Sequence, residues 1–179
     1  MPVALFDEPA PDFSDPLGLL AACHQRMLGF CDLLERLQPW VESHGIDDDA
    51  TEAARRVMHY FDTAGELHHR DEEADLFPLL ASEESLRPLI ERLQREHQTL
   101  DQHWQVLARQ LRALLQGQTD LTALRAAIDS FCSVHREHIR MENQQLLPAA
   151  GSLLSTAQLR ALGRTMSARR HAAAGAGGK

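Results

Sequence analysis

Apolar side chains recur at alternating steps of three and four along four long stretches of the chain, the period of a helix with one buried face. The first stretch opens at Asp15-Pro16, an N-cap followed by proline at the first helical position. It carries Leu20, His24, Met27, Cys31 and Leu34 on one face and is expected to end near Pro39. A second begins near Ala50, after the turn SHGIDDD, and aligns Val57, Phe61, Ala64 or Gly65, His68 and Glu72 before Phe77-Pro78 closes it. The third opens at Ser85 and runs Leu86, Ile90, Leu93, His97, Leu100, Trp104, Leu107, Leu111, Leu114, with Gln116-Gly117 as its stop. The fourth starts near Asp120 and lines up Leu124, Ile128, Phe131, His135, His138, Glu142 and Leu146 ahead of Pro148. Every stripe holds a histidine partway along.

The pattern outside these stretches is weaker. Residues 1–14 are rich in Pro and Asp and are expected to form an extended N-terminal segment. Ser155 with Gln158 makes a capping box, and Leu159, Leu162 and Met166 predict a short additional C-terminal helix within 151–170. The tail from 171 to 179, HAAAGAGGK, is expected to be disordered. Four long helices joined by short loops make an all-α, antiparallel up-down-up-down four-helix bundle over residues 15–150 the simplest architecture.

Composition narrows the classes. With 179 residues, 44% of them apolar, the chain is one domain able to bury its own core. Acidic residues outnumber basic ones 26 to 18, a net charge of −8, and Lys179 is the lone lysine. Such a balance speaks against nucleic acid and against a polybasic membrane patch. Cys23, Cys31 and Cys132 have no paired spacing and read as reduced, buried thiols. The start of the chain lacks a basic and then apolar leader, so a cytoplasmic location is expected.

An internal repeat selects the chemical residues. HHRDEEADLFP from His68 and HIRMENQQLLP from His138 align at an offset of 70, as H-x-x-x-E-x-x-x-L-x-P in both. The first and third stripes correspond through His24-Gln25 and His97-Gln98. On a helix, His68 with Glu72 and His138 with Glu142 stand on one face, close enough to share an ion or adjacent ions. Imidazole with carboxylate suits borderline and hard metals, and unpaired cysteines exclude a thiolate-rich zinc or iron–sulfur site. Two bridging carboxylates and four histidines leave coordination positions open on two metals. His69 and Glu73 compete with their neighbours for ligand roles, the repeat favouring His68. His135, one turn before His138, is a further ligand, an access gate or an outer residue.

These motifs resemble the hemerythrin-like (HHE cation-binding) family. The resemblance implies a non-haem di-iron centre, bridged by oxo or hydroxo and carboxylate groups, with His24, His68, His97 and His138 as terminal ligands and Glu72 and Glu142 as bridges. It implies a small partner such as oxygen, nitric oxide or peroxide, or the sensing and handling of iron, and is compatible with oxidase- or peroxidase-like chemistry. The family's oxygen carriers add a His-x-x-x-His pair on the third helix, whereas this chain has Leu93 and Asp101 at those distances from His97. The pattern is closer to that of iron-centre repair and iron-sensing members. Two other readings stay open: a structural or signalling bundle whose histidines serve hydrogen bonds, and a ferritin-like oxidase. The latter needs two Glu-x-x-His pairs, of which Glu66 with His69 supplies one.

Overall fold

The computed structural model describes residues 11–176. Residues 1–10 of the expected N-terminal segment and 177–179 of the expected tail lie outside the described residues. Five long helical rods make up the described chain, and it contains no strand. Helix α1 spans Pro16–His44. Helix α2 covers residues 48–80, helix α3 Arg87–Leu115, helix α4 residues 121–153 and helix α5 Thr156–Ala176.

Local chemistry accounts for the boundaries. Asp15 caps α1 by accepting the amide of Gly18 at 3.0 Å. Asp47 caps α2 through the Ala50 amide and also accepts the Trp40 indole, which locks the end of α1 to the start of α2. Asp120 accepts the amides of Thr122 and Ala123 at the head of α4. Gly117, at φ 70°, ends α3 with Gln118 donating back to the Ala113 carbonyl, a turn that glycine enters without a Cβ clash. The Ser155–Gln158 capping box forms in both directions.

Prolines end fewer helices than the sequence pattern predicted. Helix α1 passes through Pro39, which lies on its exposed face, and stops at Gly45. There water can satisfy the carbonyl that loses its amide partner. Helices α2 and α4 pass through Pro78 and Pro148 by a shared device. Each widens into a π turn just before its proline, Glu72–Leu76 and Glu142–Leu146. The amides of Phe77 and Leu147 donate five residues back, to the carbonyls of Glu72 and Glu142. The wider turn absorbs the missing proline donor and relieves the clash of its ring with the preceding turn. A further π turn, Phe61–Gly65, lies earlier in α2.

Helix α1 packs on α2 and α4, and α3 packs on the same two, so the four enclose a common interior. Two apolar clusters fill it. One joins Leu34, Leu37, Val57, Phe61, Leu107, Leu111 and Phe131; the other joins Leu20, Leu76, Phe77, Leu93, Leu146 and Met166. On each of the four helices the predicted His and Glu positions fall between residues of one cluster and residues of the other. Helix α5 is longer than the sequence reading allowed, extending past His171 to Ala176. It docks through Leu162 and Met166, both buried, and Gly163 faces the Phe13 carbonyl so closely that a Cβ there would collide with it. Arg169 and Arg170 fasten it further, pairing with the fully buried Asp71 of α2; Arg170 does so at 2.6 Å, and Arg169 also reaches Asp75 at 2.5 Å.

Candidate metal centre

Six polar side chains converge in the band between the two apolar clusters. His24, Glu72 and Glu142 are 0% exposed, His68 1%, and His97 and His138 2%, so water does not solvate them. The imidazoles pair by Nε2: His24 with His68 at 3.0 Å and His97 with His138 at 3.1 Å. Glu72 and Glu142 lie across both pairs. Oε1 of Glu72 is 3.4 Å from His68 Nε2, and its Oε2 is 3.5 Å from His97 Nε2. Oε2 of Glu142 is 3.0 Å from His24 Nε2, and its Oε1 is 3.0 Å from His138 Nε2. Each carboxylate thus offers one oxygen to each histidine pair.

These donors satisfy one another poorly. None of the four carboxylate oxygens of Glu72 and Glu142 receives a properly directed hydrogen bond, even where a histidine nitrogen is 3.0 Å away. Buried carboxylates left so cost several kcal/mol unless a cation pairs with them. The ring nitrogens face a related problem. His97 Nδ1 contacts Glu73 at 2.8 Å and His138 Nδ1 contacts Glu96 at 3.0 Å. Carboxylates only accept, so the Nδ1 protons point outward and the Nε2 lone pairs of the neutral rings point inward. His24 Nδ1 likewise meets Asn143 Oδ1 at 2.7 Å. Two inward lone pairs about 3 Å apart repel without a cation between them. That separation is also the one expected for neighbouring donors each about 2.1 Å from a shared ion at a right angle. The residues present therefore fit a metal.

Protons take the cation's place in the chain alone. Burial opposes charge on His24 and on His97, but the close approach and negative charge of Glu142 and Glu72 outweigh it and raise both to about 10. Burial and the charge of Glu142 push Glu72 up, yet His68, His24 and His97 win and hold it down to about 2. His68, whose Nδ1 lacks an acceptor, is driven by burial down to about 4.

The competing positions resolve as follows. His69 joins the site from its edge: its ring stacks on His97 at 4.1 Å, and its donor lies within 4.8 Å of those of His97 and His138. The corresponding set on the other side is His24, His68, Glu72 and Glu142. Glu73 stands outside, 46% exposed, against the far nitrogen of His97. His135 is buried, yet it belongs to neither set and its Nδ1 lies 3.3 Å from the Phe131 carbonyl. Glu66 is exposed and paired with Arg70 at 2.7 Å, which removes the Glu-x-x-His pair of the ferritin-like reading. The three cysteines are free and buried, and none belongs to either donor set. Sequence reasoning missed Glu96 and Asn143. Each follows or precedes a site residue directly, but each serves a histidine on another helix, so no spacing along one helix reveals it.

This geometry agrees with the comparison to known proteins. The model of the hemerythrin HHE cation-binding domain matches residues 15–150, and the chain belongs to that family. A Haemophilus influenzae protein described as uncharacterized is 32% identical over 160 residues, which is 88% of this chain and 91% of that protein. Among the described residues, no helix is long and apolar enough to cross a membrane.

Proposed function

We propose that the protein is a non-haem di-iron protein that binds or reacts with a small ligand, oxygen, nitric oxide or peroxide, or that handles iron itself. The observation that carries this reading is the placement of two buried, unsatisfied carboxylates across two histidine pairs. In it, His24 with His68 and His97 with His138 would hold one ion each, Glu72 and Glu142 would serve both, and His69 would be a further donor on the His97 side. Four helices running up-down-up-down support the arrangement. The chain meets the two apolar clusters in one order along α1 and α3 and in the reverse order along α2 and α4.

Bound iron would supply one- and two-electron chemistry toward the ligand. The protein's share is to fix and shield. Glu73, Glu96 and Asn143 orient three imidazoles through their outer nitrogens, which sets the tautomer and the donor strength of each. The apolar clusters on either side exclude bulk water. Asp71, ahead of Glu72, is clamped by Arg169 and Arg170, which ties the turn bearing one bridge to α5.

Elemental analysis of protein expressed in iron-replete medium, with an optical spectrum taken before and after exposure to air, tests the proposal. About two irons per chain and an air-sensitive spectrum are expected. A folded protein that holds no metal under those conditions would overturn it.

A further inference from the structure

The two histidine pairs are held unequally. Nδ1 of His97 meets Glu73, that of His138 meets Glu96 and that of His24 meets Asn143, but the buried Nδ1 of His68 has no partner among the described residues. The internal repeat locates the missing partner. Glu73 and Asn143 occupy matching positions, each directly after its glutamate and each serving the histidine of α3 or α1. Glu96, directly before His97, serves His138 on α4. Its match, directly before His24, is Cys23, which brings no carboxylate to His68. An outer acceptor is what fixes the ring of a histidine ligand. Without one, the placement of His68 depends on the helical turn that carries it.

That turn is gripped from outside. Asp71, fully buried between His68 and Glu72 in the sequence, pairs with Arg169 and Arg170 of α5, and Arg169 also holds Asp75. The second copy of the repeat has Met141 and Gln145 at these two positions, so the acids are peculiar to the first. Helix α5 packs chiefly on α1 and on the stretch of α2 from Glu66 to Leu76, the helices that supply His24 and His68. Arg170 and Asp71 lie close enough to Cys23 for their charges to act on its thiol, which puts the clamp beside the place of the missing acceptor. The matched family domain ends at residue 150, so α5 is an addition to it. Without the arginines the buried Asp71 carboxylate has no countercharge, and the turn must shift to bring it water. His68 and Glu72 shift with it. We infer that Arg169, Arg170 and Asp71 are positioning residues for one of the two donor sets: the clamp sets the metal affinity of His24, His68, Glu72 and Glu142, and bears far less on His69, His97 and His138. The inference rests on the two-ion reading of the centre.

Zinc, which suits imidazole and carboxylate donors, is the probe. Nitrogen-15 resonances of labelled histidine follow its titration into metal-free protein and read the two sets apart, His24 and His68 reporting one, His97 and His138 the other. Competition with a chelator gives each affinity. Arg169→Ala with Arg170→Ala should weaken zinc about 10-fold or more at His24 and His68, the size of effect that outer partners of a metal site carry, with His97 and His138 close to wild type. Asp71→Asn removes the same ion pairs without stranding a buried charge, while Arg169 keeps Asp75. It should show the same selective loss, and it decides the matter if the double alanine variant has lost its helical circular dichroism. Arg169→Lys with Arg170→Lys keeps both charges and should recover most of the affinity. Equal weakening at both sets, or none at His24 and His68, would overturn the inference and leave the proposed function standing. A wild type that takes zinc at fewer than two sets would undo the two-ion reading and this inference with it.

Discussion

Glu72 and Glu142 each face both histidine pairs, so under the proposed two-ion reading losing either would remove a link between two sites rather than one ligand among many. Glu72→Ala and Glu142→Ala should each drop metal content below two ions per chain and abolish the spectrum of a coupled pair, with far-UV circular dichroism still helical because no core hydrophobe is lost. Glu96→Gln and Asn143→Ala should act differently. They remove outer partners of His138 and His24, so stoichiometry should stay at two while affinity falls about 10- to 100-fold, read by competition with a chelator. His135→Ala should leave metal content unchanged, since His135 joins neither donor set, and unchanged content would exclude it as a ligand. At this scale the sequence was legible where the relation is local. His68 with Glu72 and His138 with Glu142 are one turn apart on one helix, and the repeat singles them out. Glu96 and Asn143 were not, because their partners come from facing helices and the register between helices is set by packing.

Helix boundaries show the same division. Caps at Asp15 and Asp120 and the stop at Gly117 follow from single residues and their next amides, whereas Pro39, on the exposed face of α1, hides the true stop at Gly45. Pro78 and Pro148 misled, because a helix that widens by one residue beforehand can carry a proline, and no spacing rule announces a π turn. Both turns begin at a glutamate of the buried polar cluster, so the backbone irregularity lies where the two carboxylates meet the histidine pairs. Helix α5 was underestimated because an alanine-rich tail shows little periodicity; what anchors it is tertiary, Leu162 and Met166 in the core and two arginines on Asp71. Asp71 is fully buried, so removing both arginines should strand its charge. Arg169→Ala with Arg170→Ala should cost about 3–5 kcal/mol in urea unfolding, and adding Asp71→Leu should recover much of that loss. A double variant as stable as the wild type would show that the clamp contributes nothing net.

For the molecule as a whole, metal and protons compete for one polar band, which makes stability depend on pH in a defined direction. In the metal-free chain His24 and His97 are raised to about 10, against about 6.5 in an unfolded chain. Between those values the folded state holds protons that the unfolded state has released, so their contribution is complete below about 6.5 and is lost as pH climbs through 10. His68 and His135, lowered to about 4 and about 3, are neutral in both states over this range and add no slope. Glu72, held at about 2, is ionised throughout it. The melting temperature of the metal-free protein should therefore fall from pH 7 to pH 9. In metal-loaded protein, on the proposed reading, the ion would take the place of those protons, His24 and His97 would be neutral ligands, and the slope should nearly vanish. Loaded protein should melt higher at every pH, since a ligand that binds only the folded state stabilises it, and the gap should widen toward pH 9. Differential scanning calorimetry of both forms at pH 7, 8 and 9 measures it. Equal melting temperatures would place the metal outside the bundle core, and a gap that narrows with pH would mean that His24 and His97 do not carry the protons the metal displaces.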